Sequence, residues 1–169
     1  MPRTVIGIMG AGERASERDL RLAEELGELV ATQGWVVLTG GRPEGVMDAA
    51  SRGARKVSGS LVLGILPSQS GGVSRHVDVA VFTGLGHARN VVNVLSSSVV
   101  VVCGVGGPGT ASEAALALKV GRPLILLAPA PEAEAFFRSL GGTLFVAHEA
   151  REVIDLVRSR IPSGSGFES

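Results

Sequence analysis

The sequence predicts a single Rossmann-like α/β domain, built on a doubly wound, mainly parallel sheet of about seven strands flanked by helices. Short runs of apolar residues alternate with longer segments whose apolar residues recur at helical spacing. Such alternation favours right-handed β-α-β crossovers, which make the strands parallel. Hydrophobic residues form 45% of the 169 residues, which suits a sheet that helices cover on both faces.

The first half of the chain begins with an apolar strand at residues 4–9. A helix is predicted at about residues 17–32, with Ser16 as its N-cap and Gly34 just beyond its end. The same alternation then predicts a strand at 35–38, a helix at 44–56, a strand at 61–66, a Ser- and Gly-rich loop at 67–74 and a strand at 77–82.

The second half contains the most apolar run, residues 99–103, which is typical of a strand buried on both faces. The predicted elements together form one domain over residues 1–161. The Pro-, Ser- and Gly-rich residues 162–169 are expected to be a disordered tail. The other predicted elements are helices at 89–96, 111–120, 132–140 and 150–160, and strands at 124–127 and 144–146.

Composition excludes several functional classes. The 16 basic and 16 acidic residues cancel, and no basic block indicates a nucleic-acid partner. Cys103 is the single cysteine, and no His, Cys, Asp or Glu cluster has metal-ligand spacing. No apolar run approaches the roughly 20 residues of a membrane span, and the first is too short for a signal peptide. We therefore expect a cytoplasmic protein with no membrane partner.

Glycine is unusually frequent, with 24 copies against an average of about 7% of residues, and most of the excess lies at the ends of apolar runs, in loops that precede helices. The carboxyl ends of parallel strands meet at one edge of a sheet, so these loops should lie together. Glycine lets backbone N–H groups approach a ligand, and helix N-termini add free donors. We therefore predict one phosphate-binding cleft at that edge. The glycines assigned to it are Gly10 and Gly12 after strand one, Gly40 and Gly41 after strand two, and Gly106, Gly107 and Gly109 after strand five; Gly84 and Gly86 follow strand four.

Two of these loops carry phosphate-binding patterns. Residues 10–15 match G-x-G-x-x-G/A after a strand, although a tight strand-to-helix turn explains them equally well. The loop from Gly106 to Thr110 is more specific, because consecutive glycines exceed what a turn requires. A dinucleotide site would need a carboxylate at the end of strand two, where residues 38–41 have none. Arg42 is suited to bind a 2′-phosphate, so an NADP site stays an alternative, whereas no NAD is expected.

Two charged residues, Arg89 and Glu113, are predicted at the same edge. Arg89 begins a helix, where its guanidinium can grip a phosphate through two parallel bonds. The alternative, a solvated arginine, is disfavoured by the helix dipole. Glu113 follows Thr110 by three residues, so the two can form a capping box. The other interpretation places the Glu113 carboxylate at the mouth of the cleft, where it would orient a sugar or a water.

Several stretches resemble a known superfamily, long labelled "possible lysine decarboxylase", whose better-known members are the lonely-guy phosphoribohydrolases. Within it, the chain is similar to the molybdenum cofactor carrier proteins of algae and bacteria. The resemblance covers roughly residues 5–127. The stretches are Thr-Gly-Gly at 39–41 with Gly-Val-Met at 45–47, Gly-Leu-Gly-His-Ala-Arg-Asn at 84–90, Gly-Gly-Pro-Gly-Thr-Ala-Ser-Glu at 106–113, and, for the carrier branch, residues 63–67 and 93–97.

The hydrolase pattern of that superfamily, P-G-G-x-G-T-x-x-E preceded by an Arg-Lys pair, is only partly kept. Val105 replaces the proline, Arg89 matches the arginine and Asn90 replaces the lysine. The loss of the lysine argues against hydrolysis. No lysine constellation for pyridoxal chemistry accompanies the older label. The residues that match the remainder of the pattern are Gly106, Gly107, Gly109, Thr110 and Glu113.

The resemblance implies three alternative functions. The first is a carrier that binds molybdenum cofactor, an anionic pyranopterin with a phosphate, through the amides of residues 106–110 and through Arg89. The second is a phosphoribohydrolase of nucleoside 5′-monophosphates such as cytokinin ribotides or AMP, with Arg89 and Glu113 as catalytic residues. The third is a nucleotide-sensing module without chemistry. A homo-oligomer, dimer or tetramer, is expected in each case.

Overall fold

The structure is a computed structural model that describes residues 3–160, so the tail predicted at residues 162–169 lies outside the described residues. Seven parallel strands form one sheet in the order β4-β3-β2-β1-β5-β6-β7. The predicted doubly wound α/β fold is confirmed. The strands are β1 Val5–Gly10, β2 Val36–Thr39, β3 Val62–Leu66, β4 Val79–Phe82, β5 Val99–Cys103, β6 Leu124–Leu127 and β7 Leu144–Ala147.

Six helices cover the two faces of the sheet. Buried residues of α1, α2 and α6 pack on one face, and those of α3, α4 and α5 pack on the other. Strand β5 is buried throughout, as its apolar run predicts. The helices are α1 Glu17–Thr32, α2 Gly45–Ala54, α3 Arg89–Leu95, α4 Pro108–Lys119, α5 Pro131–Ser139 and α6 Ala150–Arg160.

Strand order reverses at β1, which pairs with β2 on one side and with β5 on the other. The chain moves outward from β1 to β4 and then returns to the centre with β5. Loops that leave the carboxyl ends of β1 and β5 therefore diverge to opposite faces and open a crevice, the usual ligand position in such sheets.

Helices α1 and α2 contact each other through two glycines. A Cβ at Gly27 would overlap the carbonyl oxygen of Ala50, and a Cβ at Gly53 would overlap the carbonyl oxygen of Glu24. This close backbone approach fixes α2, and with it the loop that connects β2 to α2.

One boundary difference affects the site. Helix α4 begins at Pro108 rather than at the predicted residue 111, because proline is well suited to the first helical position. Thr110 therefore lies inside the first turn and is not the N-cap, which is Gly107. Among residues 3–160, no helix combines the length and apolarity needed to cross a membrane.

Candidate functional site

A cavity of about 220 Å³ lies at the carboxyl ends of the central strands. We call it the inner cavity. Loops after β1, β2 and β5 contribute backbone, and α2, α3 and α4 contribute side chains. Its lining residues are Met9, Gly10, Ala11, Gly12, Gly40, Met47, His87, Arg89, Asn90, Gly106, Gly107, Gly109, Thr110 and Glu113.

Gly10 of the β1 loop and Gly106 of the β5 loop are required by packing. A Cβ at Gly10 would lie 2.6 Å from Val46 Cγ2 and 2.7 Å from the Cys103 carbonyl oxygen. A Cβ at Gly106 would overlap that of Ala11. These glycines let the two loops approach each other and form the wall of the inner cavity.

Gly107 and Gly109 differ from the other glycines of the cleft. A Cβ at either position would meet no atom within 4 Å, and neither residue has a φ in the left-handed region. Neither packing nor backbone conformation therefore requires glycine here. Both line the inner cavity at the N-terminus of α4, where the first amides have no intrahelical acceptor. This part of the cavity presents backbone N–H donors and a partial positive charge.

Arg89, at the start of α3, lies across the end of the β2–β3 half of the sheet. Its Nη1 donates to the carbonyl oxygens of Gly40, at 2.9 Å, and of Ile65. The Nε atom is buried without a partner among the described residues, and Nη2 makes no hydrogen bond there either. Burial lowers the pKa of Arg89, an effect that the nearby Glu113 opposes. The guanidinium remains charged, and Arg89 lines the inner cavity with its Nε and Nη2 atoms unpaired within the described residues.

Glu113 on α4 is 7% exposed and accepts a hydrogen bond of 2.8 Å from Asn93 Nδ2. Burial raises the pKa of Glu113, whereas the hydrogen bond from Asn93 and the charge of Arg89 act in the opposite direction. The capping box with Thr110 is wrong, because Gly107 caps the helix and Glu113 bonds to α3. The carboxylate instead forms part of the cavity wall.

Asn90, which stands where the hydrolase pattern has lysine, is bound to the glycine loop. Its Nδ2 donates to Ser112 Oγ at 2.8 Å and to the Gly109 carbonyl oxygen at 3.4 Å. This residue therefore steadies the first turn of α4 and adds no positive charge to the cavity.

The inner cavity brings together nine of the ten residues predicted for the site. The exception is Gly41, which has φ +74° and packs against Gly64. Gly84 and Gly86 also lie away from the lining, because β4 is at the far edge of the sheet.

The sequence analysis missed Asn93, which is fully buried. One signal for it existed: Asn93 follows Arg89 by four residues and so shares its helix face. Among the lining residues that were not assigned to the site, Met9 and Met47 look like core residues in the sequence; the others are Ala11, His87 and Asn90.

A second, more open cavity of about 390 Å³ adjoins the first, and we call it the outer cavity. The two cavities share Ala11, Gly12 and Gly106. The outer cavity is markedly charged, whereas glycine backbone dominates the inner one. The remaining lining residues of the outer cavity are Glu13, Arg14, Arg42 and Glu44.

The end of β2 carries no carboxylate, as predicted, but the N-cap of α2 brings one to the outer cavity. Glu44 lies five residues after Thr39, and its Oε1 forms an ion pair with Arg42 Nε at 2.9 Å. Its carboxyl carbon would be 3.5 Å from a Cβ on Gly12. Within residues 3–160, no three His, Cys, Asp or Glu side chains form a group that could hold a metal ion.

Comparisons with known proteins agree on one group. Residues 3–154 match the model of the SLOG cluster4 family. The molybdenum cofactor binding protein from the phototrophic bacterium Rippkaea orientalis is 48% identical in sequence, with a TM-score of 0.92 over 96% of this chain and 99% of that one. The Moco carrier protein from Chlamydomonas reinhardtii is 45% identical, with a TM-score of 0.87 over 93% and 96%. A protein of Archaeoglobus fulgidus is 44% identical over 124 residues, or 73% of this chain and 80% of its own.

Proposed function

We propose that this chain, which belongs to the SLOG cluster4 family, is a carrier that binds molybdenum cofactor at the carboxyl edge of its sheet. The amides of residues 106–110 and the guanidinium of Arg89 hold the phosphate of the cofactor. Gly10, Gly12 and Gly40 shape the wall of the same cleft. Two similar proteins support this ligand: a molybdenum cofactor binding protein that is 48% identical and a Moco carrier protein that is 45% identical.

The observation that carries the proposal is the open space at Gly107 and Gly109. Packing explains Gly10, Gly40 and Gly106, but Gly107 and Gly109 have neither a neighbour within 4 Å nor a strained backbone that demands glycine. A ligand group that rests directly on the backbone amides of α4 does explain them. Bound there, a phosphate would also neutralise the charge of Arg89, whose Nη2 makes no hydrogen bond within residues 3–160.

The size of the inner cavity supports a ligand that reaches beyond it. Pockets for drug-sized ligands span roughly 300–1,000 Å³, and the inner cavity has about 220 Å³. It can hold a phosphate and the adjoining part of a pyranopterin. The remainder of the ligand has space in the adjoining outer cavity.

Substitution of Gly109 by alanine tests the proposal. The new methyl group would stand in the open space of the cleft and move the phosphate away from the amides. The purified chain is incubated without oxygen with molybdenum cofactor released from a molybdoenzyme, then desalted, and the retained cofactor is oxidised and quantified as a fluorescent pterin. We expect the wild type to retain cofactor and Gly109→Ala to bind it about ten-fold more weakly, the loss of one hydrogen bond to a charged group.

Two controls complete the experiment. Inorganic phosphate should displace the cofactor from the wild type, and the thermal unfolding midpoint of Gly109→Ala should equal or exceed that of the wild type, because alanine is the better helix former. A wild type that retains no cofactor, or a Gly109→Ala chain that retains it equally well, would contradict the proposal.

One observation favours phosphoribohydrolase activity as a second candidate. The Glu113 carboxylate lines the inner cavity, and burial raises its pKa, a property suited to an acid that assists glycosidic cleavage. Incubation with AMP followed by chromatography of free adenine decides between the two. Turnover that Glu113→Gln abolishes would establish the enzyme, whereas AMP that stays intact agrees with the carrier.

Self-association and a cytoplasmic location belong to the same proposal. Six exposed apolar side chains lie between the start of β4 and the end of α3, and exposed apolar residues in such number are typical of an interface. We call this group the β4 patch and assign it to contact with a second copy of the chain. Its residues are Val79, Val81, Phe82, Leu85, Val91 and Leu95.

A further inference from the structure

Glu44 occupies a position for which glutamate is a poor choice. It is the N-cap of α2, where Ser, Thr, Asp or Asn would satisfy a free amide, and its side chain makes no capping hydrogen bond. A residue that contradicts local preference without a local gain is often retained for function. The side chain of Glu44 points instead toward Gly12 and lines the outer cavity.

The backbone around Glu44 is held firmly against the β1 loop. Val46 N donates to the Ala11 carbonyl oxygen at 2.9 Å. At Gly45, which has φ +59°, a Cβ would overlap the carbonyl oxygens of Ala11 and Gly12. Only glycine allows this approach, so the position of Glu44 beside Gly12 is fixed by packing.

The Glu44 carboxylate is oriented by one ion pair and keeps most of its hydrogen-bond acceptor sites free within the described residues. Arg42 Nε forms an ion pair with Oε1 at 2.9 Å, and neither carboxylate oxygen accepts a hydrogen bond within the part of the chain that the structure describes. A carboxylate offers about four acceptor sites, so most of its capacity remains for a ligand. Because Gly12 and Gly106 line both cavities, a ligand whose phosphate rests on α4 can reach Glu44 without crossing a barrier.

We infer that the outer cavity is the subsite for the heterocycle of the ligand, and that Glu44 selects rings with a 2-amino-4-oxopyrimidine edge. Pterins and guanine share that edge, which presents a ring N–H beside an amino N–H. The two donors match the two oxygens of one carboxylate. Adenine presents an unprotonated ring nitrogen at the equivalent place, which would face Glu44 as acceptor against acceptor. This inference rests on the proposed function and names the group that recognises the pterin.

Calorimetric titrations with GMP and AMP test the inference, since both carry the same ribose phosphate. We expect the wild type to bind GMP about ten-fold more tightly than AMP, within the usual discrimination of a paired hydrogen-bonding edge. Glu44→Gln replaces one acceptor by a donor and should bring the two dissociation constants within about two-fold, mainly through weaker GMP binding. Glu132→Gln, an exposed glutamate on α5, is the matched control and should keep the preference.

Inorganic phosphate separates this inference from the proposed function. Its dissociation constant should be the same for wild type and Glu44→Gln, because phosphate occupies the inner cavity. Equal GMP and AMP binding by the wild type, or a GMP preference that survives in Glu44→Gln, would overturn the role of Glu44. If phosphate also failed to displace the molybdenum cofactor from the wild type, the proposed function would fail as well.

Discussion

At the level of single residues, Glu113 combines burial with a charge that its surroundings only partly compensate. One hydrogen bond from Asn93 and the charge of Arg89 favour the carboxylate, yet burial has the larger effect and raises its pKa. Buried charges are costly unless they are fully paired. Glu113 therefore reduces the stability of the fold at neutral pH.

Substitution of Glu113 by glutamine should reveal that cost as a pH dependence. The favourable contribution of neutral Glu113 is complete below its usual pKa of 4.5 and is lost as the pH rises through the folded-state value. Glutamine stays neutral and can still accept from Asn93. We expect the unfolding free energy of Glu113→Gln, relative to wild type, to increase between pH 4 and pH 8 in urea titrations. A difference that is constant or decreases over this interval would contradict the burial argument.

Most residues of the site were predictable from the sequence, but the structural role of each glycine was not. The loop of Gly106 to Thr110 was predictable as a ligand loop because its consecutive glycines exceed the needs of a turn. In the structure, Gly107 and Gly109 have no packing role. Gly107 and Gly109 could not be distinguished from Gly41 in the sequence, because only the tertiary contact with Gly64 shows that Gly41 has a packing role. Asn93 was missed for the same reason.

At the level of elements, the contact between α1 and α2 depends on two glycines within helices. In an isolated helix a change from glycine to alanine is favourable by about 1 kcal/mol. Here the added methyl group would meet backbone carbonyl groups that cannot rotate away. The balance should therefore be reversed.

Gly53→Ala should lower the unfolding free energy by about 1–3 kcal/mol, the usual cost of overpacking. Gly109→Ala serves as the matched control, because its methyl group enters open space in another helix. Thermal or urea unfolding of the two variants measures the contrast. If Gly53→Ala were as stable as Gly109→Ala, the close contact of α1 with α2 would not contribute as described.

Element types were predictable because periodicity reports burial directly. The seven strands and six helices all occur where apolar spacing placed them, with differences of a few residues at their ends. The start of α4 was predicted three residues late, since the glycine-rich sequence obscured a helix that begins with Pro108. That displacement produced the incorrect capping box.

At the level of the whole molecule, the strand order follows from the fold class, but the composition of the surface does not. The β4 patch could not be predicted, because the alternation of residues 77–82 resembles that of a strand buried on one side. In the structure β4 is an edge strand, and Phe82 is 43% exposed. An exposed apolar edge strand invites association with another chain.

Phe82→Glu should convert the assembly to smaller species, seen as a mass reduced to that of a single chain in light scattering after size exclusion. A charge within an apolar interface is desolvated without a partner. Phe136→Glu is the control, because Phe136 is 56% exposed on α5, away from β4. Should both variants keep the wild-type mass, the β4 patch is not the interface.

The central position of β1 also has a consequence for biosynthesis. Its residues are synthesised well before those of β5, yet Ile6 pairs with Val99 and Gly10 with Cys103, so one edge of β1 stays open until β5 has been made. The loop that would carry the phosphate, residues 106–110, emerges later still. The cleft between the loops after β1 and β5 can therefore form only once residues 99–110 have been synthesised, so any ligand that depends on both loops binds after that point.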